Sequence, residues 1–208
     1  LRWFELIPVF SYMWFRAKCR RCGSALSFLY PVSEIVTGAG LVFLYQSFGG
    51  PTLPFLFGAI IFCAFVVLFI SDARTQILPD GAVIVSGLAT LGFLASRGAS
   101  VPTIALHLVV GACASAFFAA LWAITRGRGM GLGDVKLAFV LGLLLGYPKI
   151  VVGLYVAFLT GAAVGVILIL RRKLKLKSKI AFGPFLLLGG VVGFVWGDAI
   201  IELWKALV

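Results

Sequence analysis

Two aspartates stand where a carboxylate is hardest to keep. Asp134 ends the string Gly131-Leu132-Gly133-Asp134, where a basic loop meets an apolar segment, and Asp72 closes an earlier apolar segment just before Arg74. A carboxylate at membrane depth is costly and usually functional. Two that converge can divide hydrolytic work, one taking a proton from water while the other protonates or polarises a scissile carbonyl. Asp72 closes its segment and Asp134 opens its own, and on the topology read below both ends are cytoplasmic, so they share a depth. Each also has a structural use by itself, Asp134 as a helix cap and Asp72 as a side chain reaching back to the interface.

The surroundings of Asp134 set its depth. Gly127, Gly129, Gly131 and Gly133 precede it in close succession, and so many glycines favour a loop or broken helix. From Asp134 to Pro148 a helix reaches about 22 Å, short of a hydrocarbon core of about 30 Å. Asp134 is therefore expected inside the membrane boundary, where irregular backbone persists only beside a wet cavity or under protein cover. Gly131, Gly133 and Lys136 are read as the loop of this site. Lys136, two residues beyond Asp134, points away from it on a helix and is expected to reach towards phosphates. Asp80 is a third acid, and its Ile77-Leu78-Pro79-Asp80-Gly81 setting reads as a turn with Asp80 capping the next helix.

Other chemistry-bearing residues are fewer. Cys19-Arg20-Arg21-Cys22 supplies two thiols at the spacing of half a tetrathiolate zinc site. Cys63 and Cys113 fall mid-span, where cysteine behaves as a small hydrophobe. Glu34, three residues after Pro31, is placed to satisfy free N–H groups at a helix start. His107 reads as a satisfied packing residue. Asp198 and Glu202 carry no catalytic role, and Glu202 is positioned to pair with Lys205.

Composition dictates the frame that must hold these groups. Of 208 residues 62% are hydrophobic and 12% charged, with mean hydropathy +1.14. That is an all-α polytopic membrane protein, since a soluble domain of this size has no way to cover so much apolar surface. Apolar spans are expected at 31–48, 52–71, 81–96, 101–124, 134–148, 150–170 and 182–204, about seven transmembrane helices. Alternating these across a bilayer leaves all but Arg97, Lys149 and Lys205 of the 18 Lys and Arg residues on one face. That face is read as cytoplasmic, with the amino terminus inside and the carboxyl terminus outside. The net charge of +11 therefore reflects topology and not nucleic-acid binding. The run from Arg171 through Lys179 anchors a loop to anionic lipid. Residues 1–30 form a small cytoplasmic head containing the cysteine pair, and 31–208 the membrane domain. The chain opens at Leu1 with neither a methionine nor a recognisable signal peptide, so further residues are expected upstream.

The same residues carry a family resemblance over nearly the whole chain. The segment Leu1 to Tyr12, Cys19-x-x-Cys22, and Tyr30-Pro31-Val32-Ser33-Glu34 follow one another as in the prepilin peptidases of type IV pilus and type II secretion systems. Asp72 through Asp80 is similar to the first catalytic box of that family, and Gly129 through Leu137 to the second. The chain thus resembles a G-x-G-D intramembrane aspartyl protease. The resemblance implies cleavage of a short basic leader from prepilins and pseudopilins, on the carboxyl side of a glycine at the cytoplasmic face of the bacterial inner membrane. Asp72 and Asp134 carry over as the catalytic pair, which needs no cofactor. It also implies N-methylation of the new amino terminus, usually phenylalanine, from S-adenosylmethionine. The family's first transmembrane helix and first Cys-x-x-Cys have no counterpart here, and Ala17 stands where glycine is usual. Both departures fall in the head associated with methylation.

The expectation is therefore an aspartic endopeptidase for prepilin-like precursors in the lipid bilayer, with methyltransferase activity, or else a protease-only relative. A small proton-coupled transporter is the rival of another class. Such a transporter should show inverted repeats or paired broken helices, and only one broken segment is present.

Overall fold

In a computed structural model, residues 10–15, 17–19, 22–127, 129–171 and 181–207 are described. Among them every regular element is a helix, apart from an isolated bridge between Lys18 and Ala25. A short α1 (Phe10–Trp14) in the head is followed by α2 (Leu29–Ser47), α3 (Leu53–Thr75), α4 (Asp80–Ser96), α5 (Val101–Thr125), α6 (Leu132–Leu145), α7 (Lys149–Leu170) and α8 (Gly183–Leu207). Local chemistry marks the boundaries. Thr52 and Ser100 each accept a hydrogen bond from a backbone N–H three residues on, and each is followed within two residues by a proline suited to a first helical turn. Gln76 and Arg126 close α3 and α5 in the left-handed region.

Helices α3, α5, α7 and α8 are long and apolar enough to cross a membrane, and α4 is a shorter apolar helix. The chain is a multi-pass membrane protein. Helix α6 is different in kind. At 14 residues it is too short to cross alone, and from Leu137 to Leu145 every side chain except Phe139 is buried. It packs against α4, α5, α7 and α8, whereas α5 and α7 turn residues such as Val109, Phe117, Tyr155 and Leu159 outward.

Small residues let the backbones approach. A Cβ added to Gly142 of α6 would stand 2.6 Å from Gly111 Cα and 3.0 Å from the Val110 carbonyl oxygen of α5. Gly153, Ala157 and Gly189 do the same service between α7 and α8. At the far end of α6, His107 Nδ1–H donates to the Leu143 carbonyl oxygen at 2.7 Å, so this histidine is the satisfied packing residue expected of it.

Several boundaries depart from the sequence reading. Helix α2 starts at Leu29, which leaves Glu34 beyond the first turn and exposed, away from the free N–H groups it was expected to satisfy. Helix α3 runs a full turn past the expected 71, so Asp72 lies within its last turn and not at its end. Asp198 pairs with Lys149 at 2.6 Å, tying α8 to α7. The segment 1–9, together with Arg16, Arg20, Arg21, Arg128 and the basic run 172–180, lies outside the described residues.

Gly142→Ala should lower stability by about 1–3 kcal/mol, because backbone offers no room to yield. Thermal unfolding in detergent checks this, with Gly38→Ala, which meets nothing within 4 Å, leaving the melting temperature unchanged or slightly raised.

Candidate active site

Asp72 reaches its place through the buried stripe of α3. Ile61, Phe65, Leu68 and Asp72 recur at helical spacing on one face, and only the last is polar. The chain then turns sharply. The Gln76 N–H donates to the Asp72 carbonyl oxygen at 2.9 Å, and Ser71 Oγ donates to the Ile77 carbonyl oxygen at 2.8 Å. This sets Leu78 against the first turn of α6. A Cβ at Gly133 would stand 2.9 Å from Leu78 Cβ, so glycine is what lets the two turns touch.

Asp134 occupies the third position of α6 and is 4% exposed. Its Oδ2 accepts the Gly131 N–H at 3.0 Å, the acidic half of a capping box. The capping use foreseen for Asp134 is therefore real, and it orients the carboxylate towards a cavity. Asp72 is also 4% exposed, but its Oδ2 has no hydrogen bond of good geometry among the described residues. That oxygen lies against Gly183, the first residue of α8, where an added Cβ would stand 2.5 Å away. A buried, unsatisfied carboxylate oxygen calls for an explanation, and a catalytic role is one.

Both aspartates line one cavity of about 410 Å³. The glycine loop, Leu78 and Lys136 line it together with Trp122 of α5 and Ala181 and Phe182 ahead of α8. Phe182 is held from behind by rings of Phe158 at 5.2 Å and Phe118 at 6.0 Å. Gly131, Gly133 and Lys136 thus join Asp72 and Asp134 at one place. Lys136 does not reach free towards phosphates. Its Nζ donates to Asp80 Oδ1 at 2.6 Å across the cavity rim, with both side chains exposed. Asp80 accordingly does not cap α4, whose N-cap is Pro79.

Gly183, Phe182 and Trp122 have no part in the sequence reading. A Gly-Pro pair opening α8 was the available signal for a helix start, but nothing in it specifies that the start abuts Asp72.

The cysteine pair lies apart, in the head. Gly23 N–H donates to the Cys19 carbonyl oxygen and Cys19 N–H to the Ser24 carbonyl oxygen, both at 2.8 Å, making a tight turn with Cys22 Sγ 3.0 Å from Ser24 Oγ. Two thiols supply half of a tetrahedral zinc set, and no group of three or more metal-ligating side chains occurs among the described residues. Cys19 and Cys22 therefore do not make a metal site by themselves. The small head pocket beside Phe10, Trp14 and Phe15 is apolar, which does not fit the charged groups of S-adenosylmethionine.

Residues 59–166 match the type IV leader peptidase family, and residues 1–48 match the bacterial peptidase A24 N-terminal domain. The prepilin leader peptidase/N-methyltransferase of Bacillus subtilis is 31% identical over 206 residues, covering 96% of this chain and 79% of that protein. The proteins of the same name from Aeromonas hydrophila and Legionella pneumophila are 31% and 32% identical and cover 94% of the chain, with 68% and 69% of their own lengths matched. No solved structure matches.

The Ser24 hydroxyl, followed by the Ser24 backbone and Cys19, lowers the Cys22 thiol from 9.0 to about 7. The thiolate is then substantially present at neutral pH. Alkylation of Cys22 in metal-free protein should show its midpoint near that value, and Ser24→Ala should move the midpoint upward.

Proposed function

The chain belongs to the type IV leader peptidase family, and from that membership we propose an intramembrane aspartic endopeptidase whose catalytic pair is Asp72 and Asp134. Its substrates are type IV prepilins and type II secretion pseudopilins, cut after a glycine at the cytoplasmic face of the bacterial inner membrane. The new amino terminus is then N-methylated, the second activity in the relatives' names. A topology of seven spans, with α6 completed by the glycine segment before it, would put the cavity and the head (1–30) on the cytoplasmic side of the membrane domain (31–208).

One observation carries the reading. Two carboxyls remote in sequence are buried and line a single cavity, where Asp72 Oδ2 has no hydrogen bond of good geometry among the described residues. The chemistry that fits is peptide hydrolysis. One carboxylate takes a proton from water as the water oxygen bonds to the scissile carbonyl carbon, and the other carboxyl gives its proton to the carbonyl oxygen. The C–N bond of the tetrahedral intermediate then breaks, its nitrogen taking a proton from the dyad, to leave a glycine carboxylate and a free amine. Asp134 Oδ2 is committed to the Gly131 N–H, which leaves its Oδ1 and the Asp72 carboxyl for water and the carbonyl. The turn after α3, the starts of α4 and α6 and the approach to α8 all meet at this cavity, the end of the bundle where Arg74 lies in the last turn of α3 and Arg126 caps α5.

Cleavage of a prepilin leader by the purified chain tests the assignment. Asp72→Asn and Asp134→Asn should each lose activity by about 10⁴-fold or more while remaining folded. Asp80→Asn, which breaks an exposed ion pair, should stay within about threefold of wild type. If either dyad variant cuts at the wild-type rate, the assignment fails. Gly183→Ala should cost about 10²-fold in rate by displacing the Asp72 carboxyl while leaving substrate binding intact. Methyl transfer is read separately, as label from S-adenosylmethionine on the cleaved amino terminus.

A further inference from the structure

The cavity that holds the aspartates is bordered by backbone as well as by side chains. Gly129, Met130 and Gly131 all line it, and none of the three lies in a helix. Gly131 commits both of its main-chain groups to α6. Its N–H donates to Asp134 Oδ2 at 3.0 Å, and its carbonyl oxygen accepts the Asp134 N–H at 3.2 Å. The N–H and C=O of Met130, one residue back, make no hydrogen bond with any described residue. The Met130–Gly131 peptide is trans, so the Met130 carbonyl points opposite to the Gly131 N–H and away from the Asp134 oxygen which that N–H meets. The Met130 side chain packs on the buried core, while Gly129 and Gly131 on either side of it are exposed and present no side chain. Glycines of this kind mark a place where another backbone can approach closely.

Peptide hydrolysis at Asp72 and Asp134 sets a demand on the chain being cut. In a helix each carbonyl accepts the N–H four residues on, and side chains crowd around it, so a dyad reaches a scissile carbonyl only where the chain has unwound. Unwinding frees N–H and C=O groups at a depth where each needs a partner. Within this cavity Met130 offers one acceptor and one donor, next in the chain to the residue that holds Asp134.

We propose that Met130 pairs main chain to main chain with the polypeptide being cut, a short edge to which that polypeptide adds in extended form beside the dyad. The proposal rests on the peptidase reading and adds how the substrate backbone is held there. Recognition of this kind reads backbone and not side chains. It aligns the scissile bond with the carboxylates because Gly131 is tied to Asp134.

Prepilin leader peptides spanning the cut test this, each with one backbone amide replaced by an ester, which removes an N–H donor and adds no bulk. The scissile amide is left intact. In an added strand successive N–H groups point to alternate sides. Cleavage by the purified wild-type chain should therefore fall about tenfold or more in kcat/KM at one position, or at positions two apart, and stay within about threefold at the neighbours. A flat profile overturns the proposal. On the enzyme side, Met130→Pro removes the Met130 N–H, and Met130→Ala keeps it while also removing the methionine side chain. Met130→Pro should raise KM about tenfold above that of Met130→Ala, with kcat within about threefold. Equal KM values, or a loss confined to kcat, overturn the proposal. If Met130→Pro does not fold, the ester profile decides by itself. If the wild type leaves the unmodified peptide uncut, the peptidase reading falls and takes this one with it.

Discussion

A helix of 14 residues spans about 21 Å, and a bilayer core is about 30 Å thick. Helix α6 therefore cannot bridge the core, and its amino-terminal end, with the free N–H groups of its first turn, has to lie within the membrane boundary. Bare backbone is not tolerated at that depth unless protein covers it or it lines a wet cavity. Both conditions are met. Four helices enclose α6 along its length, and its start opens into the cavity that holds Asp72 and Asp134. The carboxylate of Asp134, by accepting the Gly131 N–H, also satisfies one of the donors that this shortfall exposes.

Enclosure of that kind depends on residues that have little or no side chain. Gly111 and Gly142 bring α5 and α6 to backbone contact, Gly133 admits Leu78, and Gly183 admits the Asp72 carboxyl. Each close approach substitutes van der Waals contact for the hydrophobic drive that lipid cannot supply between helices. The aromatic cluster of Phe118, Phe158 and Phe182 works in the opposite way, filling space behind the segment that enters α8. The cavity is thus shaped by missing side chains at the glycines and by large ones at Phe182 and Trp122.

The segments themselves were legible because hydrophobicity and length are local properties. The expected 101–124 and 150–170 differ from α5 and α7 by a single residue at one end. The Gly127–Gly133 loop and the shortness of α6 were legible for the same reason, since glycine disfavours helix wherever it stands. Misreadings came where a side chain had a choice of partner. Asp80 suits a cap as well as an ion pair, and Lys136 suits lipid phosphate as well as a carboxylate. Their choice of each other depends on two helix ends meeting in space. Glu34 failed for a smaller reason, a helix that starts before Pro31 and carries the acid out of its first turn.

By itself, the sequence determined that the chain is helical and membrane-embedded. It also determined that one aspartate closes an apolar segment and the other opens one, because composition, periodicity and residue order survive any arrangement of the helices. Tertiary structure alone decided that Asp72 Oδ2 lies against Gly183, that Leu78 closes on Gly133, and that Phe182 and Trp122 complete the cavity. Those contacts join residues from distant parts of the chain, and their energy comes from close packing, which no single segment encodes.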